Sequence, residues 1–186
     1  HLRSGNDPFA AWNPAPSCNY NSRQGVPPTA ITVHTMQGSF AGTIAWFQYC
    51  PSNVSCHYLV RSSDGYLLQM VDEADRAWHV GTENNYTIGI EHEGFVSNPA
   101  WYTDSMYVSS AGLSRRIAVR HGIDTLRTAW WLWAAATQYR YAFRPGSCTR
   151  TKGHQHYPNQ THTDPGLHWN WMRYARSMAQ IPTPPD

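Results

Sequence analysis

Ala30-Ile31-Thr32-Val33-His34 is a short β-branched run that reads as a buried strand. Alternation sends Ile31 and Val33 to one face and Thr32 and His34 to the other. Directly after it, Gly38 and Ser39 open a helix through Thr43, Ile44, Trp46 and Phe47 to about Tyr49, with Ser39 as its N-cap and Pro51 ending it. This strand-then-helix reading sets the pattern for the rest of the chain. His57 to Arg61 and Tyr66 to Val71 flank Ser63-Asp64-Gly65, a hairpin signal. Tyr86 to Glu93 reads as another strand, with Ile88, Ile90 and His92 on one face and Gly89, Glu91 and Glu93 on the other. Gly89 is expected to leave open space beside the Glu91 carboxylate.

Helices are expected from Thr103-Asp104 to about His121, closed by Gly122, and from Thr125 to Tyr141, broken by Arg144-Pro145-Gly146. Leu113 and Ile117 mark the buried side of the first. A last helix is expected from Leu167 to Gln180, with Trp171, Tyr174 and Met178 recurring. Residues 1–29 hold five prolines and read as an extended arm lying on the domain. Residues 181–186 read as a frayed tail. Strands separated by helices, without a repeat or linker, point to one domain over 1–186 built on an α/β or α+β sheet with helices on its faces, and the favoured reading is α/β with a central mixed sheet.

The chain has 186 residues, enough for one domain with a sizeable core. A formal net charge of +2 offers no basic field for nucleic acid. No run approaches the roughly 18 apolar residues of a membrane span. A chain that opens on His1 rather than Met reads as a processed or cloned fragment, from which any signal peptide would already be gone. Four cysteines permit three pairings. Cys50 and Cys56 are near enough to close a small loop, leaving Cys18 with Cys148. That fits an oxidising, extracytoplasmic setting, whereas four free thiols would suit a cytosolic one. Nothing signals an interface, so a monomer is expected.

Chemistry concentrates in Lys152-Gly153-His154-Gln155-His156 and Thr161-His162-Thr163-Asp164-Pro165-Gly166. Imidazole nitrogens and carboxylate oxygens are good zinc donors. His154 and Asp164 need a third partner, and His34, at the end of the first strand, is the candidate. Two histidines and one carboxylate, with a fourth position open to water, make a catalytic rather than a structural zinc arrangement.

The chain resembles the zinc-dependent N-acetylmuramoyl-L-alanine amidases, the family of phage amidase-type lysozymes and peptidoglycan recognition proteins. The resemblance rests on seven pieces in order between about residues 28 and 175: Ile31-Thr32-Val33-His34-Thr35, Ser55-Cys56-His57-Tyr58-Leu59-Val60, Asp64-Gly65, Ala77-Trp78-His79-Val80-Gly81, Ile88-Gly89-Ile90-Glu91, Gly153-His154 and Thr163-Asp164-Pro165-Gly166. It implies a zinc cleft at the sheet's strand ends, one zinc per chain, and His34, His154 and Asp164 as ligands. The third ligand is Cys in some members and Asp in others. Some members use a Tyr as general base where this chain has Cys56; others use a Glu where it has Glu91. The resemblance therefore assigns Glu91 as base, with Glu93 as local competitor. Where the family often has a Lys, this chain has His162, expected to hold the oxyanion. Trp78 and His79 are expected to wall the cleft and contact substrate.

The implied activity is cleavage of the amide between N-acetylmuramic acid and L-Ala of peptidoglycan stem peptides. The rivals are a non-catalytic peptidoglycan-binding module and an amidase for soluble anhydromuropeptides. His57 is read as structural, and His156 and His168 carry no firm role. Trp130, Trp131 and Trp133 are read as core rather than as a wall-binding surface.

Overall fold

A computed structural model describes residues 5–124, 151–158 and 160–179. Eight strands occur among them: β1 (Ala11–Trp12), β2 (Tyr20–Ser22), β3 (Ala30–Thr35), β4 (Tyr58–Val60), β5 (Leu67–Gln69), β6 (Asp75–Ala77), β7 (Thr87–His92) and β8 (Thr151–Gly153). Three helices join them: α1 (Phe40–Gln48), α2 (Asp104–His121) and α3 (Trp171–Ala179). The main sheet runs β1-β5-β4-β7-β3-β8, with β2 and β6 forming a separate antiparallel pair. Within the main sheet only β4 and β5 are antiparallel. The sheet is therefore mixed, as expected, and the β4–β5 hairpin forms at Asp64-Gly65.

β3 lies between β7 and β8 and is buried along its whole length. Its pleat separates two cores. Ile31 and Val33 join Tyr58, Val60, Ile88 and Ile90 beneath α2 and α3, where Leu113, Ile117, Tyr174 and Met178 are fully buried. Burying such side chains contributes about 1.5–3 kcal/mol each. The Tyr174 hydroxyl ties α3 to Ser110 and Ser114 of α2. On the opposite face, Leu59, Leu68, Cys56 and Met70 pack with Phe40 and Phe47 of α1. Ser39 and Thr103 cap α1 and α2. The last helix starts later than its apolar pattern suggests: Asn170 Oδ1 accepts from Arg173 N–H, so the helix begins at Trp171, while Leu167 and His168 stay exposed in the preceding turn.

The amino-terminal arm is more ordered than proline content alone implies. Ala11–Trp12 adds a parallel edge strand to β5, and Tyr20–Ser22 pairs with β6. Both lie in stretches free of proline, where backbone N–H groups remain available to pair. Asp7 accepts from Arg116 and Arg120 of α2, and Arg23 is buried against the Glu73, Asn85 and Thr87 carbonyls.

The disulfide pairing differs from expectation. Cys18 bonds Cys50, and Cys56 is a free, buried thiol. Cys50 sits exposed just past the end of α1, whereas Cys56 points into the core beneath that helix. The arm comes to Cys50 because Asn19 Nδ2 donates to the Phe47 and Tyr49 carbonyls. Cys148 lies outside the described residues, as do the helix expected at Thr125 to Tyr141, Trp130, Trp131, Trp133, and the tail 181–186. The bridge spans 32 residues, so its loss should cost about 3–4 kcal/mol. Thermal melts of Cys18→Ser beside wild type check this, and an unchanged Tm would contradict it.

Candidate active site

The parallel strands bring the chemistry to one edge. β3, β7 and β8 run in the same direction, so their carboxyl ends lie together, the usual place for a ligand crevice in such sheets. His34 is the penultimate residue of β3 and stands in register with Glu91 of β7. His154 follows β8 directly. Asp164 arrives on the loop before α3. That loop comes close because residue 153 is glycine: a Cβ there would lie 2.5 Å from Pro165 Cδ. It is held by Gln155 N–H to the Asp164 carbonyl, by Gly166 N–H to Gln155 Oε1, and by the Tyr102 hydroxyl to the Pro165 carbonyl.

His34, His154 and Asp164 each offer a ligand atom, and these atoms lie within 4.8 Å of one another. Asp164 Oδ2 is 3.3 Å from His34 Nδ1, and Oδ1 is 3.3 Å from His154 Nδ1. Thr35 N–H also donates to Asp164 Oδ2, at 3.1 Å. Burial brings the His34 imidazole down to about 4, against the raising effect of Asp164. Burial alone would raise the Asp164 carboxyl, but contacts with His154 and His34 win and hold it well below the ordinary range. A carboxylate between two largely buried imidazoles, at least one of them neutral, is a donor set suited to a divalent cation.

Glu91 reaches into the same space. Its Oε1 is 4.0 Å from His34 Nδ1, and its Oε2 is buried without a hydrogen-bond partner among the described residues. Burial, with Asp164 adding to it, pushes the carboxyl well above its ordinary value. Glu93 is engaged elsewhere: its carboxylate accepts Phe40 N–H at the start of α1 and Ser62 N–H. The geometry thus separates two carboxylates that lie only two residues apart in sequence. The space expected beside Gly89 is filled, because Cys56 Sγ and His79 Nδ1 pack against that residue.

His57 is structural. Its Nδ1 accepts Gly89 N–H, and its Nε2 contacts the Asp75 carbonyl. His92 contacts the His34 carbonyl and Ser110 Oγ. His156 Nδ1 accepts Gly153 N–H. Burial brings each of these three down to about 3, helped at His57 by Arg23 and at His156 by Lys152. In the unfolded chain they titrate at about 6.5. The unfolded state therefore binds more protons between those values, and stability should fall as pH drops from about 6.5 towards 3. Thermal melts between pH 7 and 4 check this; a flat Tm would contradict it.

His162 stacks on His154, with ring centroids 4.1 Å apart, and is exposed to the cleft. The cleft encloses about 1140 Å³ and is lined by His34, Glu91, His154, His162 and Asp164 together with Trp78 and His79. His168 lies outside it, on a smaller neighbouring pocket. Trp46 also lines the cleft at 52 % exposure and was not anticipated. The available signal was its position on α1, one residue or about 100° away from buried Phe47.

The N-acetylmuramoyl-L-alanine amidase family model, Amidase_2, matches residues 24–167. The chain belongs to this amidase family. It is 39 % identical over 166 residues to N-acetylmuramoyl-L-alanine amidase A of Achromobacter lyticus, across 89 % of this amidase and 90 % of that one. The 1,6-anhydro-N-acetylmuramyl-L-alanine amidase AmpD of Citrobacter freundii is 28 % identical over 129 residues, which cover 65 % of this chain and 55 % of the relative. The amidase fold superposes on a selenomethionine AmpD derivative with TM-score 0.70 at 24 % identity, covering 95 % and 98 % of the two chains. It superposes on the XlyA catalytic domain with TM-score 0.58 at 15 % identity, covering 91 % and 98 %.

Proposed function

We propose that this amidase hydrolyses the amide between the lactyl carbonyl of N-acetylmuramic acid and L-Ala of the peptidoglycan stem, with one zinc ion held by His34, His154 and Asp164. The supporting observation is the convergence of those donors within 4.8 Å, beside a buried carboxylate oxygen that lacks a partner among the described residues. Two imidazoles and one carboxylate match a catalytic zinc set. When bound, zinc supplies Lewis-acid polarisation of the carbonyl and acidifies water. Glu91 takes the proton of the attacking water and returns it to the departing amide nitrogen. His162 donates a hydrogen bond to the carbonyl oxygen as negative charge develops there. Trp78 and Trp46 offer apolar walls to the substrate. Every residue named comes from one chain, which supports a monomeric amidase. The Cys18–Cys50 bridge supports an oxidising, extracytoplasmic site of action.

The test is digestion of purified peptidoglycan with mass analysis of released products, before and after chelation and zinc add-back. Free stem peptides beginning at L-Ala, lost on chelation and restored by zinc, are expected. Wall binding without peptide release would instead make the chain a recognition module. The relative named as a 1,6-anhydro amidase motivates a parallel arm with soluble anhydromuropeptides. Cleavage confined to that arm would move the substrate from intact wall to fragments.

A further inference from the structure

Packed against His34 is a second imidazole. His34 Nε2 and His79 Nδ1 are 2.8 Å apart, and the two rings meet edge to face with centroids 5.0 Å apart. We propose that His79 is a positioning residue: it accepts a hydrogen bond from His34 Nε2–H and so keeps the lone pair of His34 Nδ1 directed at the donor cluster. The proposal rests on the reading of His34 as a metal ligand. It gives His79 a different role from the substrate contact that the sequence resemblance assigns.

A neutral imidazole carries one N–H. If His34 Nδ1 binds a cation, its proton must sit on Nε2, and the group facing Nε2 is His79 Nδ1. Such an outer partner fixes the ligand's tautomer and ring angle. It is usually a carboxylate or a carbonyl; here it is another imidazole.

The surroundings hold that imidazole in place. Asn84 Oδ1 accepts both His79 N–H and Val80 N–H, at 2.9 and 2.8 Å, which pins the loop after β6. The His57 and His79 rings meet edge to face, with centroids 5.7 Å apart. Gly89 leaves the space the ring needs: a Cβ there would stand 2.6 Å from His79 Nδ1 and 2.6 Å from Cys56 Sγ. Ile88-Gly89-Ile90-Glu91 therefore serves two purposes, presenting Glu91 and making room for His79. The other ring nitrogen, Nε2, is buried with no hydrogen-bond partner among the described residues. The contact to His34 is thus the ring's one hydrogen bond among them.

His34, Cys56 and His79 also offer ligand atoms within 4.8 Å of one another. A shared ion there fits less well. Two nitrogens bound tetrahedrally to one zinc, each at about 2.0–2.1 Å, stand about 3.3–3.4 Å apart, whereas 2.8 Å is a hydrogen-bond separation.

The experiment measures zinc affinity by competition with a chromophoric chelator for wild type, His79→Phe and His79→Asn. Thermal melts check that each is folded, and His79→Leu replaces the Phe variant if that one does not fold. Phe keeps a ring and removes the acceptor, while Asn offers a carbonyl oxygen near the Nδ1 position. The expected result is affinity about 10–100-fold weaker for Phe and recovery to within a few-fold of wild type for Asn. Wild-type affinity in the Phe variant, or equal losses in Phe and Asn, would overturn the proposal. A wild-type protein that binds no zinc would overturn the metal-site reading itself, and that result requires no variant.

Discussion

Glu91→Gln lowers turnover of the wall substrate by at least about 100-fold while zinc content stays at the wild-type value, given general-base contributions of about 10²–10⁴. Gln preserves the shape of the side chain but cannot take a proton from water and hand it on. The environment supports this assignment. Oε2 is buried and unpartnered among the described residues, and Oε1 lies 4.0 Å from His34 Nδ1. Burial, then Asp164, pushes the carboxyl well above its ordinary value, the kind of perturbation expected of a group that takes part in proton transfer. Glu93, two residues along, offers no substitute, because both of its oxygens already accept backbone N–H groups. The measurement is kcat by peptide release, with metal content determined on the same sample. Near-normal turnover in the Gln variant would remove Glu91 from the mechanism.

Asp164→Ala should lose zinc and turnover together, with turnover down by at least about 100-fold at stoichiometric zinc. Asp164 faces both imidazoles at 3.3 Å and accepts Thr35 N–H, so its removal takes away the anionic ligand and frees a buried donor. The second effect costs stability on the order of 1–3 kcal/mol, which a thermal melt separates from the first. Excess zinc should restore part of the activity, because two imidazoles remain. Asp164→Cys should retain zinc, since a thiolate is a competent tetrahedral ligand. Full zinc occupancy in the Ala variant would show that Asp164 is not a ligand.

Local patterns were reliable where one element decided the outcome. Ser39 and Thr103 mark their helix starts by chemistry confined to a single turn. Asp64-Gly65 selects its hairpin, and the two-residue period of β3 assigns Ile31 and Val33 to one core. Patterns weakened where two elements compete for the same groups. The arm gained strands because β5 and β6 supplied partners that no stretch of the arm could reveal. Cysteine spacing suggested the short Cys50–Cys56 loop, but a disulfide obeys distance in space, and Asn19 brings Cys18 to the end of α1.

The amino-acid sequence by itself determined the strand–helix order, the single α/β domain and the identities of the candidate donors His34, His154 and Asp164. Residue type and near-neighbour spacing are enough for those. Only the tertiary structure decided which carboxylate remains available, which cysteines bond, and that His79 lies against His34 rather than only along the cleft wall. Each of these depends on contacts between elements distant in sequence. The geometry of the site follows from the parallel register of β3 with β7 and β8, and from the close approaches permitted at Gly89 and Gly153.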